Sequence, residues 1–230
     1  MKYLNFANGI NPKTETLITL IDVSPSMEEE DWKPTRLAGA IQANEELLKA
    51  KMKNHPRDKV GIIGFGGEAR LLHAPVCLEE GLRSLQRALK NPWTSSGTNF
   101  TAVLTLAEIC LFGATPKQEG SLLSRMLSEI FCEPTPNKPQ NKKGRKRIIM
   151  LTDGEYNLGG SPLKIATRLK KAGVIIDCIG IGGGPEKVDE KLLKQIASVN
   201  PDGSIRYCFI GDQKQLLQEY QTLARHIRTI

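Results

Sequence analysis

Oxygen-bearing side chains follow two apolar segments that have the length of buried strands. Asp22, Ser24 and Ser26 come directly after Thr16–Ile21, and Asp153 follows a second such segment. Carboxylate and hydroxyl oxygens are ligands that suit magnesium and manganese. In open sheets of parallel strands, ligands bind in the crevice beyond the carboxyl ends of the strands. The two segments therefore predict a hard-cation site at that edge of a sheet.

A third segment adds another hydroxyl group. Thr98 lies in the sequence Ser95-Ser96-Gly97-Thr98-Asn99, immediately before a helical pattern. Asp, Ser and Pro also dominate ordinary turns, so any one of these segments is equally consistent with a plain loop. The three segments together favour a shared site.

This combination resembles a von Willebrand factor type A domain with a complete metal-ion-dependent adhesion site. In that family the site combines a D-x-S-x-S loop with a distant Thr and a distant Asp, and the resemblance covers nearly the whole chain. It includes Lys59–Phe65 at the position of the family's second strand. By this resemblance, the metal ligands are Asp22, Ser24, Ser26, Thr98 and Asp153. Pro25 stands where the family often has Gly, but it suits a fixed turn and removes no ligand.

The resemblance implies a metal-dependent protein–protein interaction module and not an enzyme. A bound Mg²⁺ or Mn²⁺ keeps a coordination position for an Asp or Glu side chain of a protein partner. In the family, the arrival of that side chain is often coupled to a shift of the last helix, here Gln213–Ile227. Stand-alone intracellular members act as adaptor or assembly subunits beside ATPases, proteases, kinases or phosphatases.

Strand and helix patterns alternate along the chain, which predicts a doubly wound, Rossmann-like α/β fold. We expect a three-layer sandwich around a mostly parallel six-stranded sheet, and 230 residues suit a single domain. Ala69–His73 follows the second strand after a turn too short for a crossover, so it is predicted to be an antiparallel edge strand. The other predicted strands are Thr16–Ile21, Lys59–Phe65, Ile148–Leu151, Val174–Ile181 and Arg206–Ile210. The predicted helices are Thr35–Lys53, one marked by Leu82, Leu85 and Leu89, then Thr101–Leu111, Pro162–Lys171, Glu186–Ser198 and Gln213–Ile227.

The pattern is interrupted between Thr115 and Arg147. A short helix, Ser121–Phe131, is predicted there, followed by a mobile loop at Glu133–Arg145 that is rich in proline and charge. Six basic residues and no acidic one lie between Lys138 and Arg147. This run is either a solvated charged segment or a contact for nucleic acid or an acidic protein face, and the first is the commoner case.

Composition limits the remaining possibilities. The formal net charge of +7 permits a polyanionic partner without demanding one. Five cysteines, odd in number and without C-x-x-C spacing, are expected to be free thiols packed as small hydrophobes. No stretch approaches the roughly 20 apolar residues that span a bilayer, so we expect a cytoplasmic protein without membrane contact.

An enzymatic alternative uses the same residues. With Asp22 as nucleophile, the chain would be a magnesium-dependent aspartyl-phosphate phosphatase or phosphotransferase. Such phosphatases need a second Asp two positions later as general acid, and this chain has Ser24 there. The glycine clusters Gly64–Ala69 and Gly180–Pro185 lack the helix and the downstream acid of a dinucleotide site, so they are interpreted as turns.

An acidic run, Glu28–Asp31, directly follows the first candidate loop. In some adhesion receptors, acidic residues in this region bind a second cation. An exposed acidic rim that attracts cations without binding one in place is the commoner situation. The sequence therefore predicts one metal only.

Overall fold

The computed structural model describes residues 14–91, 93–113 and 144–225. Six strands form one sheet: β1 (Glu15–Asp22), β2 (Lys59–Phe65), β3 (Ala69–Cys77), β4 (Arg145–Thr152), β5 (Val174–Ile181) and β6 (Tyr207–Ile210). Their order is β3-β2-β1-β4-β5-β6. All neighbours are parallel except β3, which pairs antiparallel with β2 at one edge. The predicted sheet is confirmed.

Helices cover both faces of this sheet. In the described residues they are α1 (Arg36–Asn54), α2 (Leu78–Leu89), α3 (Phe100–Phe112), α4 (Pro162–Lys171), α5 (Glu190–Ile196) and α6 (Gln213–Arg225). The first, second and sixth contribute to one apolar core, and the other three contribute to the second core on the opposite face. This arrangement is the predicted three-layer, doubly wound α/β fold.

The central strand β1 is buried on both faces. Leu17 and Ile21 enter the core under α1, whereas Ile18 and Leu20 enter the opposite core, and all four are almost inaccessible to solvent. Fully burying one such side chain contributes about 1.5–3 kcal/mol of transfer free energy. This burial fixes the register of β1, so the polar residues that follow Asp22 leave the sheet at a defined point.

The strand order places a topological switch point between β1 and β4. The chain leaves β1 towards α1 on one face and leaves β4 towards α4 on the other. The two strands pair in register, with Ile21 opposite Leu151. Loops that diverge in this way open a crevice at the carboxyl edge, where sheets of this kind bind ligands.

Three predicted strands are longer in the structure, and β1 gains only one residue at each end. The fourth strand begins at Arg145 and not at Ile148, because Arg145 pairs with Glu15 on β1. The prediction of a mobile loop extending to Arg145 is therefore wrong at its last residue, where basic composition masked a strand. The edge strand likewise runs on to Cys77, paired with Lys59 through an irregular register.

The helix predicted at Glu186–Ser198 is shorter and divided. A 3-10 turn spans Pro185–Lys187, and α5 begins only at Glu190. Asp189 caps α5, since its Oδ1 accepts a hydrogen bond from the Leu192 amide at 3.1 Å. The sequence pattern predicted one helix where the structure has a 3-10 turn followed by a separate helix.

The predicted insert helix and most of the basic loop lie outside the described residues, so both remain predictions. Within the described ranges, none of the helices has the length and apolar character needed to cross a bilayer. The cytoplasmic location also stays a prediction.

Four cysteines fall in these ranges as free thiols: Cys77, Cys110, Cys178 and Cys208.

Candidate metal centre

Backbone hydrogen bonds hold three loops together at the carboxyl edge of the sheet. Val23 donates to Phe65 O at 2.7 Å and accepts from the Ser95 amide at 3.3 Å. The Asn99 amide donates to Gly66 O at 2.8 Å. The loops that follow β1 and β2 are thereby joined to the segment that precedes α3, which carries Thr98.

The first loop turns its polar groups towards one another. Asp22 is 0% exposed, and its Oδ1 accepts a hydrogen bond from the Ser24 amide at 2.8 Å. A 3-10 turn begins at Pro25 and directs the Ser26 hydroxyl back to the Ser24 hydroxyl, at 3.1 Å. The expected fixed turn at Pro25 is therefore present, and three predicted ligands lie side by side.

Asp153 joins the same cluster from the loop after β4. The Ser26 hydroxyl donates to Asp153 Oδ1 at 2.9 Å. The Asp153 side chain is buried, although it lies on a loop. Two carboxylates and two hydroxyls from β1 and β4 therefore meet at the switch point.

Thr98 faces these groups across Gly154. A Cβ atom on Gly154 would lie 3.1 Å from Thr98 Oγ1 and 3.9 Å from Asp22 Oδ2, so a side chain there would fill the space between the two oxygens. Asn157 fixes the Thr98 backbone through two hydrogen bonds. The side-chain Oδ1 of Asn157 accepts from the Thr98 backbone amide at 2.9 Å, and the backbone amide of Asn157 donates to Thr98 O at 3.2 Å. The structure thus brings all five predicted residues together.

Both carboxylates of the cluster are held in an unfavourable environment for negative charge. Burial, together with the charge of nearby Asp153, raises the pKa of Asp22 to about 7. Burial also raises the pKa of Asp153, although hydrogen bonds from Arg36 and Ser26 oppose that shift. A cation placed among these oxygens would favour the charged form of both groups.

Arg36 also belongs to this site, and sequence reasoning missed it. Arg36 is the first residue of α1 and is only 3% exposed. Its Nη1 donates to Asp153 Oδ2 at 2.8 Å, while Nη2 reaches Glu29 at 2.6 Å and Asp31 at 2.5 Å. One guanidinium group therefore bridges three carboxylates, because it has several N–H donors. The spacing of these residues in the sequence does not reveal that they meet.

Thr152 is a second residue that sequence reasoning missed. Its hydroxyl donates to Asp22 Oδ2 at 2.5 Å and accepts from the Gly154 amide at 3.2 Å. Thr152 lies beside Asp153 in the sequence, so its position at the end of an apolar strand was a usable signal. With Ser24 on the other oxygen, each oxygen of Asp22 has a hydrogen-bond donor from the protein.

The acidic run after the first loop is exposed as expected, and two of its residues also pair with Arg36. Glu29 and Asp31 are ion-paired with Arg36, and this pairing lowers the pKa of Asp31. Glu28 and Glu30 are exposed as well. In the described ranges, no three His, Cys, Asp or Glu side chains cluster in a metal-binding arrangement. The candidate donor set is instead two carboxylates and three hydroxyls.

Part of the basic segment 138–147 has an internal role. Arg147 is 4% exposed, and its Nε donates to Asp177 Oδ2 at 2.6 Å, while Nη1 donates to Leu223 O at 3.1 Å. The Lys146 ammonium lies 4.9 Å from the centre of the Phe112 ring. The interpretation of Lys138–Arg147 as one solvated run is therefore wrong at its carboxyl end.

Comparison with known proteins agrees with this arrangement. The sequence pattern of the von Willebrand factor type A domain matches residues 17–155. The 26S proteasome non-ATPase regulatory subunit 4 homolog of Arabidopsis thaliana is 26% identical over 201 residues, which cover 83% of this chain and 43% of that protein. The chain thus spans less than half the length of this relative.

Two solved structures are similar in fold. A von Willebrand factor type A protein from Catenulispora acidiphila has a TM-score of 0.66 at 17% identity, with 92% of this chain and 42% of that chain covered. Proximal thread matrix protein 1 from the mussel byssus, described with a zinc-occupied MIDAS motif, has a TM-score of 0.64 at 18% identity, with 92% and 47% covered. Since the family pattern also matches more than half of the sequence, the chain belongs to the von Willebrand factor type A domain family.

Proposed function

We propose that this protein is a metal-dependent interaction module, which captures an acidic side chain of a protein partner through a divalent cation. The observation that carries the proposal is the convergence of Asp22, Ser24, Ser26, Thr98 and Asp153 at the switch point of the sheet. Their oxygens would hold Mg²⁺ or Mn²⁺, completing a metal-ion-dependent adhesion site. The bound ion would supply a Lewis-acidic position for an exogenous carboxylate.

The residues present fit a hard divalent cation. All the donor atoms are oxygen, and Gly154 leaves open the space between Thr98 and Asp22 that a side chain would fill. Arg36 pairs with Asp153, whereas the buried Asp22 accepts hydrogen bonds only from neutral groups among the described residues, so its charge still calls for compensation. Zinc in the mussel byssus relative supports a divalent ion at this position, while the absence of His and Cys donors favours Mg²⁺ or Mn²⁺ here.

An exposed apolar side chain beside the site favours a protein partner over a small anion. Leu158 is 45% exposed, and its amide donates to Thr98 O at 3.3 Å. The other large exposed hydrophobic residues among the described ones are Phe112, Val199 and Ile205. None of those three lies in a loop at the carboxyl ends of the parallel strands. A partner that offers a carboxylate to the cation would therefore also find an apolar contact at Leu158.

The relatives support a place in a larger assembly. The Arabidopsis relative is named as a regulatory subunit of the 26S proteasome. We propose that this chain likewise acts as an adaptor or assembly subunit, beside an ATPase, protease, kinase or phosphatase system. In such a domain, a side chain of the partner fills the last coordination position of the cation. This contact suits an adaptor, because it is specific and is reversed by loss of the metal.

The residues around Asp22 argue against phosphoryl transfer. Both Asp22 oxygens accept hydrogen bonds, from Ser24 and Thr152, and these bonds make the carboxylate a weaker nucleophile. Ser24 also remains unsuited to act as general acid. We therefore propose that the protein has no phosphatase turnover of its own. Nucleic-acid binding is not favoured either, since Arg147 points to Asp177.

Affinity capture with the tagged full chain tests this proposal. Proteins that are retained with Mg²⁺ should be released by EDTA and should not be retained by Asp153→Ala. Partner binding that survives both treatments would contradict a role for the metal in the contact. Metal-dependent release of phosphate by the purified chain would support the enzymatic alternative instead.

A further inference from the structure

Arg36 occupies an unusual position for a charged residue. Its side chain is 3% exposed, yet it makes ion pairs to three carboxylates: Asp153 at 2.8 Å, Glu29 at 2.6 Å and Asp31 at 2.5 Å. Several contacts hold this guanidinium in place at once, so it stays paired even if the contact to the half-exposed Glu29 is lost. The guanidinium is therefore a permanent positive charge beside the candidate metal centre.

The contact with Asp153 engages the last free oxygen of that carboxylate. Oδ1 accepts from the Ser26 hydroxyl at 2.9 Å, and Oδ2 accepts from Arg36 at 2.8 Å. Asp153 thus has a protein donor on each oxygen. Its negative charge is shared between the metal centre and Arg36, and is not available to the cation alone.

The two partners on the other side of Arg36 differ from Asp153 in their contact with water. The Asp153 side chain is 0% exposed, whereas Glu29 is 53% and Asp31 is 34% exposed. Water screens the charges of Glu29 and Asp31 more strongly than that of Asp153. Glu29 and Asp31 therefore offset the positive charge of Arg36 only weakly. Inside the metal centre, Arg36 still neutralises part of the negative charge of Asp153.

These contacts give the centre a charge surplus. A divalent cation and Arg36 carry three positive charges, and the buried Asp22 and Asp153 carry two negative charges. Glu29 and Asp31 add two further negative charges, but these face solvent and are screened. The buried part of the centre therefore has a surplus of one positive charge. We propose that Arg36 is the positioning residue that draws a carboxylate to this site: it holds Asp153 away from full engagement with the cation and leaves the centre net positive. This inference rests on the proposed metal-dependent function.

Removing the charge of Arg36 should change the affinity for the cation and the affinity for an added carboxylate in opposite directions. Arg36→Met removes the positive charge and frees Asp153, so Mn²⁺ should bind more tightly, while acetate should bind to the Mn²⁺-loaded protein at least about tenfold more weakly. A merely structural role would weaken both or neither. Electron paramagnetic resonance of free Mn²⁺ measures the first affinity, and water proton relaxation during an acetate titration measures the second.

Lys191→Met is the matched control. Lys191 is exposed and lies in the first turn of α5, the helix that follows β5. The substitution removes the same charge without touching Asp153, and both affinities should stay within about twofold of wild type because surface charge is screened. An equal loss of acetate binding in Lys191→Met and Arg36→Met would overturn the proposal, since net charge alone would then explain the result.

A second variant tests the proposal even if Arg36→Met does not fold. Glu29→Gln combined with Asp31→Asn removes two largely solvent-facing carboxylates and leaves Arg36 bound to Asp153. The centre becomes more positive, so acetate should bind more tightly and Mn²⁺ more weakly. Changes in the opposite directions would overturn the proposal. If wild type itself binds no Mn²⁺, the proposed function fails, whereas Mn²⁺ binding with unaltered acetate affinity in both variants overturns only the role of Arg36.

Discussion

The hydroxyl of Ser26 donates a hydrogen bond to Asp153 Oδ1 at 2.9 Å, although 127 positions separate the two residues in the chain. This contact crosses the switch point between β1 and β4, so it exists only when both strands are in register. It couples the first candidate ligand loop to the last one. Folding of the sheet therefore also assembles the site.

Removing the Thr98 hydroxyl should weaken metal binding without unfolding the domain. Thr98→Ala takes away one oxygen donor that faces Asp22 across Gly154, and we expect Mn²⁺ affinity to fall by about tenfold or more. Thr105→Ala is the control, because the Thr105 hydroxyl only bonds to Thr101 O within α3. Calorimetric titration gives the affinities and circular dichroism reports the fold. Equal affinities in the two variants would exclude Thr98 as a ligand.

A methyl group at Gly66 should disturb the site indirectly. A Cβ atom on Gly66 would lie 2.3 Å from Ser95 O, so the loop that carries Thr98 must move. Gly66→Ala is expected to lower both the melting temperature and the Mn²⁺ affinity. At Gly160 a Cβ atom would have no neighbour within 4 Å, and Gly160→Ala should therefore change neither property. Unaltered metal binding in Gly66→Ala would mean that Thr98 is not held by this contact.

The metal-free domain should lose stability as pH rises from about 4 to 7. The folded pKa of Asp22 is about 7 against an ordinary value of 3.8, so in this window the folded state keeps a proton that the unfolded chain releases. The full loss is up to about 4 kcal/mol, at roughly 1.4 kcal/mol per pKa unit. Asp22→Asn should flatten this dependence in chemical denaturation experiments. The same pH slope in Asp22→Asn would place the titrating group elsewhere.

Metal should oppose this loss. Because the cation binds the charged form of Asp22, stabilisation by Mg²⁺ should increase with pH through the same window and level off above about pH 7. Thermal melts at fixed Mg²⁺ concentration over pH 5 to 8 measure the effect. A stabilisation that does not depend on pH would indicate that Asp22 is ionised before the metal arrives.

Leu158 should select carboxylates that have an apolar neighbour. We expect the Mn²⁺-loaded protein to bind acetyl-Asp-Leu-amide at least about threefold more tightly than acetyl-Asp-Ser-amide, since a partly buried Leu gains transfer free energy. Leu158→Ser should abolish this preference without changing Mn²⁺ affinity. Phe112→Ser is the control, because Phe112 is similarly exposed but lies at the far end of α3, about 20 Å along the helix. A preference that persists in Leu158→Ser would place the apolar contact elsewhere.

The fold was predictable from sequence where local patterns are strong. The bounds of Lys59–Phe65, Pro162–Lys171 and Val174–Ile181 agree with the structure, because each is a regular run between clear turn signals. The start of β4 was not predictable in this way. Arg145 looks like loop, and only its pairing with Glu15 makes it part of the sheet.

The candidate ligands were predictable because they follow strands or precede a helix in a recognisable motif. Arg36 was not, since its three partners come from two different loops and their approach depends on the tertiary fold. Arg147 is similar: beside basic residues it looks like part of a charged run, but Asp177 on the neighbouring strand pairs with it. Long-range ion pairs of buried residues leave no periodic signal in a sequence.

Calorimetric titration of the metal-free chain with Mn²⁺, for wild type and for Asp22→Asn, is the most direct test of the central claim. Asp22→Asn retains the shape of the side chain and removes the one carboxylate that is buried at the end of β1. We predict one Mn²⁺ ion per wild-type chain and loss of that binding in Asp22→Asn, with native circular dichroism in both. Equal Mn²⁺ affinity in the two proteins, or no Mn²⁺ binding by wild type, would contradict the account.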